Sequence, residues 1–156
     1  MPDQMPPRRF PRVPMERRVG AFAIDVCAVS LVSLFGGSAL AVPLFLIAWF
    51  GLRVVLVERN QGQSLGRWAM DIKVIDPKYG SLPNLTALLK REALTGVGSL
   101  LVFIGLVNLS PTNGFILVAP LWLLVDCVPA FLDTDYRQAY HDRLARTLMI
   151  QTRRGY

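Results

Sequence analysis

The sequence predicts an all-α membrane protein with four transmembrane helices in two hairpins and a small two-stranded element on the cytoplasmic side. Two long apolar stretches, 19–57 and 95–132, are each interrupted by a short uncharged turn, at 36–38 and at 110–114. All 17 Lys and Arg residues lie outside these turns. Because short cytoplasmic loops retain Lys and Arg, we expect both termini on the cytoplasmic side of the cell (inner) membrane.

The length and hydropathy of the chain fit this interpretation. A hydrophobic fraction of 53% and a mean hydropathy of +0.40 are high for a soluble protein. A hydrocarbon core about 30 Å thick needs roughly 20 helical residues, so each stretch divides into two spans. The predicted spans are 19–35, 39–57, 92–109 and 114–132. Only helices satisfy every backbone group of such spans in lipid.

The two ends of the chain differ from its apolar middle. Residues 1–16 are basic and proline-rich and predict a flexible N-terminal arm. The transmembrane domain then covers 17–152, and 153–156 form a tail. A cleaved signal peptide is an alternative, because a basic start precedes an apolar run. Asp25 interrupts that run, however, and the apolar sequence continues for a second span.

The polar segment 60–90 separates the two hairpins. Apolar and polar residues alternate over 70–75, and 147–152 is also strand-like. Both segments lie on the same predicted side of the membrane, so we expect them to pair. A lone pair of strands is marginally stable and has to lie against the helices or the interface. Asn84 is placed to cap a helix that starts near Leu85.

Three charged residues fall inside the predicted spans, namely Asp25, Arg53 and Asp126. Each costs about 2.5–3.5 kcal/mol in the bilayer without a partner. All three lie at similar depth in the inner half, so we expect Asp25 and Asp126 to flank Arg53, with Arg17 or Arg18 reaching in. The carboxylates could bind a monovalent cation or carry a proton. Alternatively, the cluster only locks the helices together, and Arg53 snorkels to the interface.

The sequence does not indicate nucleic-acid binding, cysteine chemistry or catalysis. The net charge of +6 could suggest nucleic acid, but the cations border apolar spans and are better explained by the membrane. Cys27 and Cys127 lie within spans and are interpreted as packing residues. The sequence has no nucleophile–base arrangement, phosphate-binding loop or metal-ligand cluster, so we expect no enzyme activity, no cofactor and no metal.

Three segments resemble RDD-family membrane proteins. The run 17–25, from Arg17 to Asp25, is similar to the opening of the family's first helix. The segment 62–76 resembles its glycine-flanked loop and strand, and 137–147 its C-terminal signature. The chain departs from the family pattern at three positions. Leu65 stands where Pro is common, Tyr140 where Leu is common and Arg146 where Gly is common.

The resemblance implies a set of characteristic residues and a general class of function. It implies that Arg17 or Arg18, Asp25 and Asp142 occupy the characteristic charged positions of the family. It also implies transport of an unknown ligand, with sodium/proton exchange in some members. Asp142 is interpreted as a helix cap or a partner of Arg67 or Arg143, with ligand contact as the alternative. His141 is either a hydrogen-bonded linker or a cytoplasmic pH sensor, since histidine is the side chain that ordinarily changes charge near physiological pH.

Two functions therefore remain open. The first is transport of a small ligand or cation by intramembrane carboxylates. Four short helices barely enclose a pathway, so the transporter would need a homo-oligomer or a membrane partner protein. The second is an accessory or scaffold membrane protein that does not transport and docks a partner through its cytoplasmic loops.

Overall fold

The computed structural model describes residues 10–107, 115–132 and 138–152, which are mostly helical and include one two-stranded sheet. The elements in chain order are α1 (Met15–Leu34), α2 (Gly37–Phe50), a π-helical turn (Gly51–Val55), α3 (Leu56–Arg59), α4 (Leu65–Ala69), β1 (Ile72–Ile75), α5 (Leu85–Val107), α6 (Phe115–Leu132), α7 (Tyr140–Ala145) and β2 (Leu148–Gln151). The predicted turn at 110–114 and tail at 153–156, and the arm residues 1–9, lie outside the described residues.

Long helices stand where the four spans were predicted, and two of them begin earlier than the apolar stretches do. Helix α1 begins at Met15 and α5 at Leu85, so each adds polar turns to its span. α2, the π turn and α3 form one continuous helix, Gly37–Arg59, whose most apolar 18-residue window has a mean hydropathy of 2.3. Within the part of the chain that the structure describes, this helix alone has both the length and the hydropathy to cross a membrane.

The helices pack as two hairpins. α1 packs against α2, α5 packs against α6, and α2 joins the hairpins by packing against α5. The first turn is formed by Phe35 and Gly36, between the two helices. An aromatic core lies between the hairpins, where Phe45 stacks on Trp49 at 5.8 Å and on Phe103 at 4.9 Å between ring centroids.

The outer surface of the helices is apolar. Ile47 on α2 is 70% exposed, and Leu121, Val125 and Phe131 on α6 are each more than 60% exposed. Large contiguous apolar surfaces of this kind are rare on soluble monomers and mark contact with a membrane or a partner.

The predicted strand pairing is confirmed. β1 and β2 are antiparallel, with Ile72 opposite Gln151 and Ile75 opposite Leu148. The prediction of a flexible arm is wrong for its last part, because Val13 is fully buried in a core cluster against the sheet. Apolar side chains before α1 thus cover a sheet that would be marginal alone.

The ends of three helices, α4, α5 and α7, are set by local sequence. The N–H of Ala87 donates to Oδ1 of Asn84 at 2.8 Å, which confirms the predicted cap of α5. Ser64 caps α4, so Leu65 occupies its first helical position, where Pro is favoured. Arg146 follows α7 with φ 51° and ψ 48°, in the left-handed region. The Gly common at this position in RDD proteins therefore reflects backbone geometry.

We predict that Arg146→Gly stabilises the protein by about 1 kcal/mol, because a left-handed conformation costs an L-residue roughly that amount. The thermal denaturation midpoint of the purified protein in detergent should rise by several degrees.

The matched control is Arg143→Gly, which removes an exposed Arg from the same helix at a right-handed position. It should lower the midpoint, because Gly disfavours a helix interior by about 1 kcal/mol. A lower midpoint for Arg146→Gly as well would contradict the assignment of strain to Arg146.

Candidate functional site

The interior of the protein holds a charged network that spans both hairpins. Four arginines, four carboxylates and one histidine are buried among the described residues: Arg18, Arg53, Arg67, Arg91, Asp25, Glu92, Asp126, Asp142 and His141. The formal charges cancel when the histidine is neutral. Buried charges are tolerated only when they are paired and hydrogen-bonded, and we call these nine residues the ionic network.

Glu92 is the centre of one half of the network. Its Oε2 accepts from Nε of Arg53 at 2.6 Å, and its Oε1 accepts from Nη2 of Arg67 at 2.6 Å. Nε of Arg91 lies 3.2 Å from the same Oε1, and the hydroxyl of Thr95 donates to Oε2 at 3.0 Å. One carboxylate thus joins three arginines from three elements of the chain.

Arg53 is held inside the protein and does not snorkel. It is 3% exposed and lies in the π turn, where the helix is locally widened. Its guanidinium carbon lies 4.8 Å from the ring centroid of Trp49 and 5.7 Å from that of Phe22. These cation–π contacts add to the ion pairs with Asp25 and Glu92.

Asp25 has three partners, so its carboxylate is satisfied within the protein. It accepts from Nη1 of Arg53 at 2.8 Å, from the hydroxyl of Ser64 at 2.6 Å and from the N–H of Gly66 at 2.7 Å. A Cβ at Gly66 would collide with the backbone of Ala21, so glycine is what allows α4 to approach α1 this closely. Asp25 pairs with Arg53 as expected, and it also anchors α4.

Asp142 is the centre of the other half of the network. Its carboxylate accepts from the N–H of Ala139 at 3.3 Å, which confirms the predicted cap. Its charged partners are Arg91 at 2.8 Å and Arg18 at 3.3 Å, in place of the expected Arg67 or Arg143. Arg67 is held by Glu92 instead, since α4 packs on α1 while α7 packs on α5 and α6.

The surroundings of Asp142 favour its ionised form. Burial by itself would raise the pKa of this carboxyl, but the positive charges of Arg91 and Arg18 and the N–H of Ala139 outweigh burial and lower it. Burial lowers the pKa of Arg67 to about 10, assisted by its neighbour Arg53, so this guanidinium stays charged at neutral pH.

Asp126 pairs with His141, and the expectation that it flanks Arg53 is wrong. Its Oδ2 lies 2.5 Å from Nδ1 of His141, and its Oδ1 accepts from the backbone N–H of the same residue at 3.0 Å. The reason is packing, because α6 contacts α7 while Arg53 faces α1 and α5. Asp25 and Asp126 therefore belong to different halves of the network.

The contacts of His141 assign its tautomer. Nη2 of Arg91 lies 3.3 Å from Nε2 of His141. A guanidinium can only donate, so Nε2 accepts and the ring proton is on Nδ1, directed at Asp126. His141 is thus a neutral linker in this arrangement, with Oδ1 of Asp142 3.6 Å from Nε2.

A cavity of about 230 Å³ lies beside the network. All four arginines of the network contribute to its lining, together with Asp126, His141 and mostly apolar side chains of α1 and α6. The described residues include no group of three or more His, Cys, Asp or Glu side chains that could hold a metal ion.

Comparison with known proteins identifies the family. Residues 12–146 match the RDD family. The chain belongs to the RDD family. It is therefore a membrane-associated domain, in agreement with the apolar helix Gly37–Arg59. No curated protein and no solved structure shows significant similarity to the chain.

The positions marked by the RDD resemblance separate into two roles. Arg18, Asp25 and Asp142 enter the ionic network, whereas Arg17 is half-buried and donates to the backbone carbonyl of Met70 at 3.3 Å. Of the two neighbouring arginines, Arg18 is thus the one that reaches into the RDD domain.

Glu92 and Arg91 were not predicted as site residues from the sequence, and neither was the pairing of Arg67 with Glu92. A signal for the first two was present, because Arg91, Glu92, Thr95 and Ser99 recur at helical spacing along α5. All four are buried. Such a polar stripe predicts a face that packs against other polar groups. Arg67 gave no comparable signal, since it lies in a short polar loop region.

We predict that Asp142→Asn destabilises the protein by about 3–5 kcal/mol, because it leaves Arg18 and Arg91 buried without their carboxylate. The folded-state pKa of Asp142 is lowered, so its stabilising effect is complete above its ordinary pKa of about 4 and is lost as the pH falls through the folded value. Thermal denaturation between pH 7 and pH 3 measures both effects.

The matched control is Asp76→Asn, which changes a carboxylate in the turn after β1. It should change stability by less than about 1 kcal/mol. If Asp142→Asn were as stable as this control at pH 7, the carboxylate would not hold the two arginines.

Proposed function

We propose that the RDD domain crosses the cell membrane four times, with both termini and the β1–β2 sheet on the cytoplasmic side. The two helix hairpins and the apolar outer surfaces of α2 and α6 support this topology. So do Trp68 on α4 and Tyr140 on α7, both more than half exposed at the charged end of the helices. Aromatic residues in such positions anchor helices at the membrane interface.

This topology predicts the access of single cysteines to a membrane-impermeant thiol reagent. In a background with Cys27 and Cys127 replaced by Ala, Ser38→Cys should react in cells whose cytoplasmic membrane is intact, because it lies at the outer turn. Lys78→Cys should react only after that membrane is permeabilised. Labelling of Lys78→Cys in intact cells, or protection of Ser38→Cys, would refute the topology.

We further propose that the domain transports a small ligand or ion with a proton carried by the Asp126–His141 pair. The observation that carries this proposal is that the pair borders the cavity and that Asp126 is bonded to a histidine, His141. Asp25 and Glu92, in contrast, are neutralised by arginines. Ionisable groups of this kind inside a membrane domain mark proton and ion pathways.

The network favours a proton over a metal cation. Four arginines line the cavity and repel cations, so a carboxylate site for sodium is disfavoured. A proton on Nε2 of His141 requires Nη2 of Arg91 to withdraw, and the new N–H would then face Asp142. Proton uptake changes the net charge of the network from zero to +1. Protonation is thus coupled to a movement of Arg91, which also holds Glu92 and Asp142.

One observation favours the alternative function of an accessory protein. Asp25 and Glu92 are saturated with partners, which suits a clamp that keeps the helices rigid. In that case the cytoplasmic loops dock a membrane partner, and no ion moves. Both functions are non-enzymatic, and a transport pathway would be completed by a second copy or by a partner.

We expect proton flux from the purified protein in liposomes, measured with an internal pH-sensitive dye after an external pH jump. Asp126→Asn and His141→Ala should each reduce the flux at least tenfold, the lower end of general acid–base contributions. Asp76→Asn is the control and should transport like the unmodified protein. Flux equal to that of empty liposomes for the unmodified protein would favour the accessory function.

A further inference from the structure

Arg67 has two buried donors that the ionic network does not use. Its side chain is 1% exposed, and its Nη2 donates to Glu92 at 2.6 Å. Nε and Nη1 of the same guanidinium have no hydrogen-bond partner. Buried polar atoms are almost always satisfied, and an unpaired charged donor is especially costly. Nε and Nη1 of Arg67, which point in different directions, are therefore each available to an acceptor from outside the chain.

This guanidinium borders the cavity beside the network. Arg18, Arg53 and Arg91 line the same space, together with Asp126, His141 and mostly apolar side chains. The lining also includes Val19 on α1, which is 58% exposed, and Leu123 on α6, which is half-buried. The cavity thus reaches the surface between two helices whose outer faces are apolar, and its inner wall is basic.

We propose that this cavity binds the acidic headgroup of a membrane phospholipid, with its phosphate on Arg67. Nη1 can donate a charge-assisted hydrogen bond to one phosphate oxygen, and the positive charge of the guanidinium attracts the anion. The proposal rests on the four-span topology, which puts the mouth at Val19 and Leu123 in the bilayer, and not on proton transport. A volume of about 230 Å³ admits a headgroup, and the acyl chains then lie outside, against the apolar faces of α1 and α6.

A carboxylate in the lining of the cavity sets the charge of the ligand. Asp126 also lines the cavity, and its negative charge is only partly offset by the Nδ1–H of neutral His141. A dianionic phosphate monoester would be repelled there more than a singly charged phosphodiester. The site therefore fits a phosphodiester such as that of phosphatidylglycerol, and inorganic phosphate offers the same oxygens without the chains.

The test uses the purified full chain in a neutral maltoside detergent and measures binding as a shift of the thermal denaturation midpoint during titration. The probes are dihexanoyl-phosphatidylglycerol, dihexanoyl-phosphatidylcholine and inorganic phosphate. We expect the first alone to stabilise the protein. Arg67→Gln should weaken this binding roughly tenfold or more, as the loss of charge-assisted hydrogen bonds implies. The matched control is Arg59→Gln, an exposed Arg at the end of α3, which should bind like the unmodified protein.

Val19→Trp provides a second variant that leaves every ion pair intact. It narrows the mouth of the cavity and should also abolish stabilisation by phosphatidylglycerol, even if Arg67→Gln fails to fold. If inorganic phosphate stabilised the protein as much as phosphatidylglycerol, the proposal that the ligand is a lipid would be overturned. The anion site itself would be supported. Unchanged binding in Val19→Trp, or no stabilisation by any probe, would overturn the site. These measurements need no ion gradient, so they are separate from the outcome of the flux assay.

Discussion

The fold depends on a single carboxylate, that of Glu92, placed where three arginines converge. Arg53 comes from the second long helix, Arg67 from the short helix after it, and Arg91 from the same helix as Glu92. Without Glu92 these cations would repel one another inside the protein, where charge interactions are weakly screened. The same residue accepts from Trp49 through its backbone carbonyl at 3.1 Å, so the aromatic core and the charged network meet at one position.

Arg91 links the two halves of this arrangement. It reaches Glu92 on one side and Asp142 and His141 on the other. The halves are therefore electrostatically coupled, although Asp25 and Asp126 are not in contact. A change of charge at His141 is transmitted to the helices around Glu92 through one side chain. The accessory function and proton-coupled transport are therefore both compatible with the same residues. The two functions differ in whether Arg91 moves.

Sequence alone predicted the helices, the strand pair and the cap at Asn84, because hydropathy, alternation and capping are local properties. It also predicted that Asp25 meets Arg53, since both lie at the same depth in neighbouring spans. The partner of Asp126 could not be predicted this way, because it depends on how the short helix containing His141 docks against α6. Glu92 was missed because it stands at the edge of an apolar span, where a charge is ordinarily solvated. Its burial follows from tertiary contacts, because Arg53 of the π turn and Arg67 of α4 reach its carboxylate.

The sheet has a consequence for biosynthesis. β1 lies between the two hairpins in sequence, but its partner β2 comes from residues 148–151, which follow the second hairpin. Asp142, which pairs with Arg18 from the first helix, also follows the second hairpin. The first hairpin is made long before either partner leaves the ribosome. Arg18 therefore cannot pair with Asp142, nor β1 with β2, until residues 142–151 have been synthesised, and the domain can close only after they emerge.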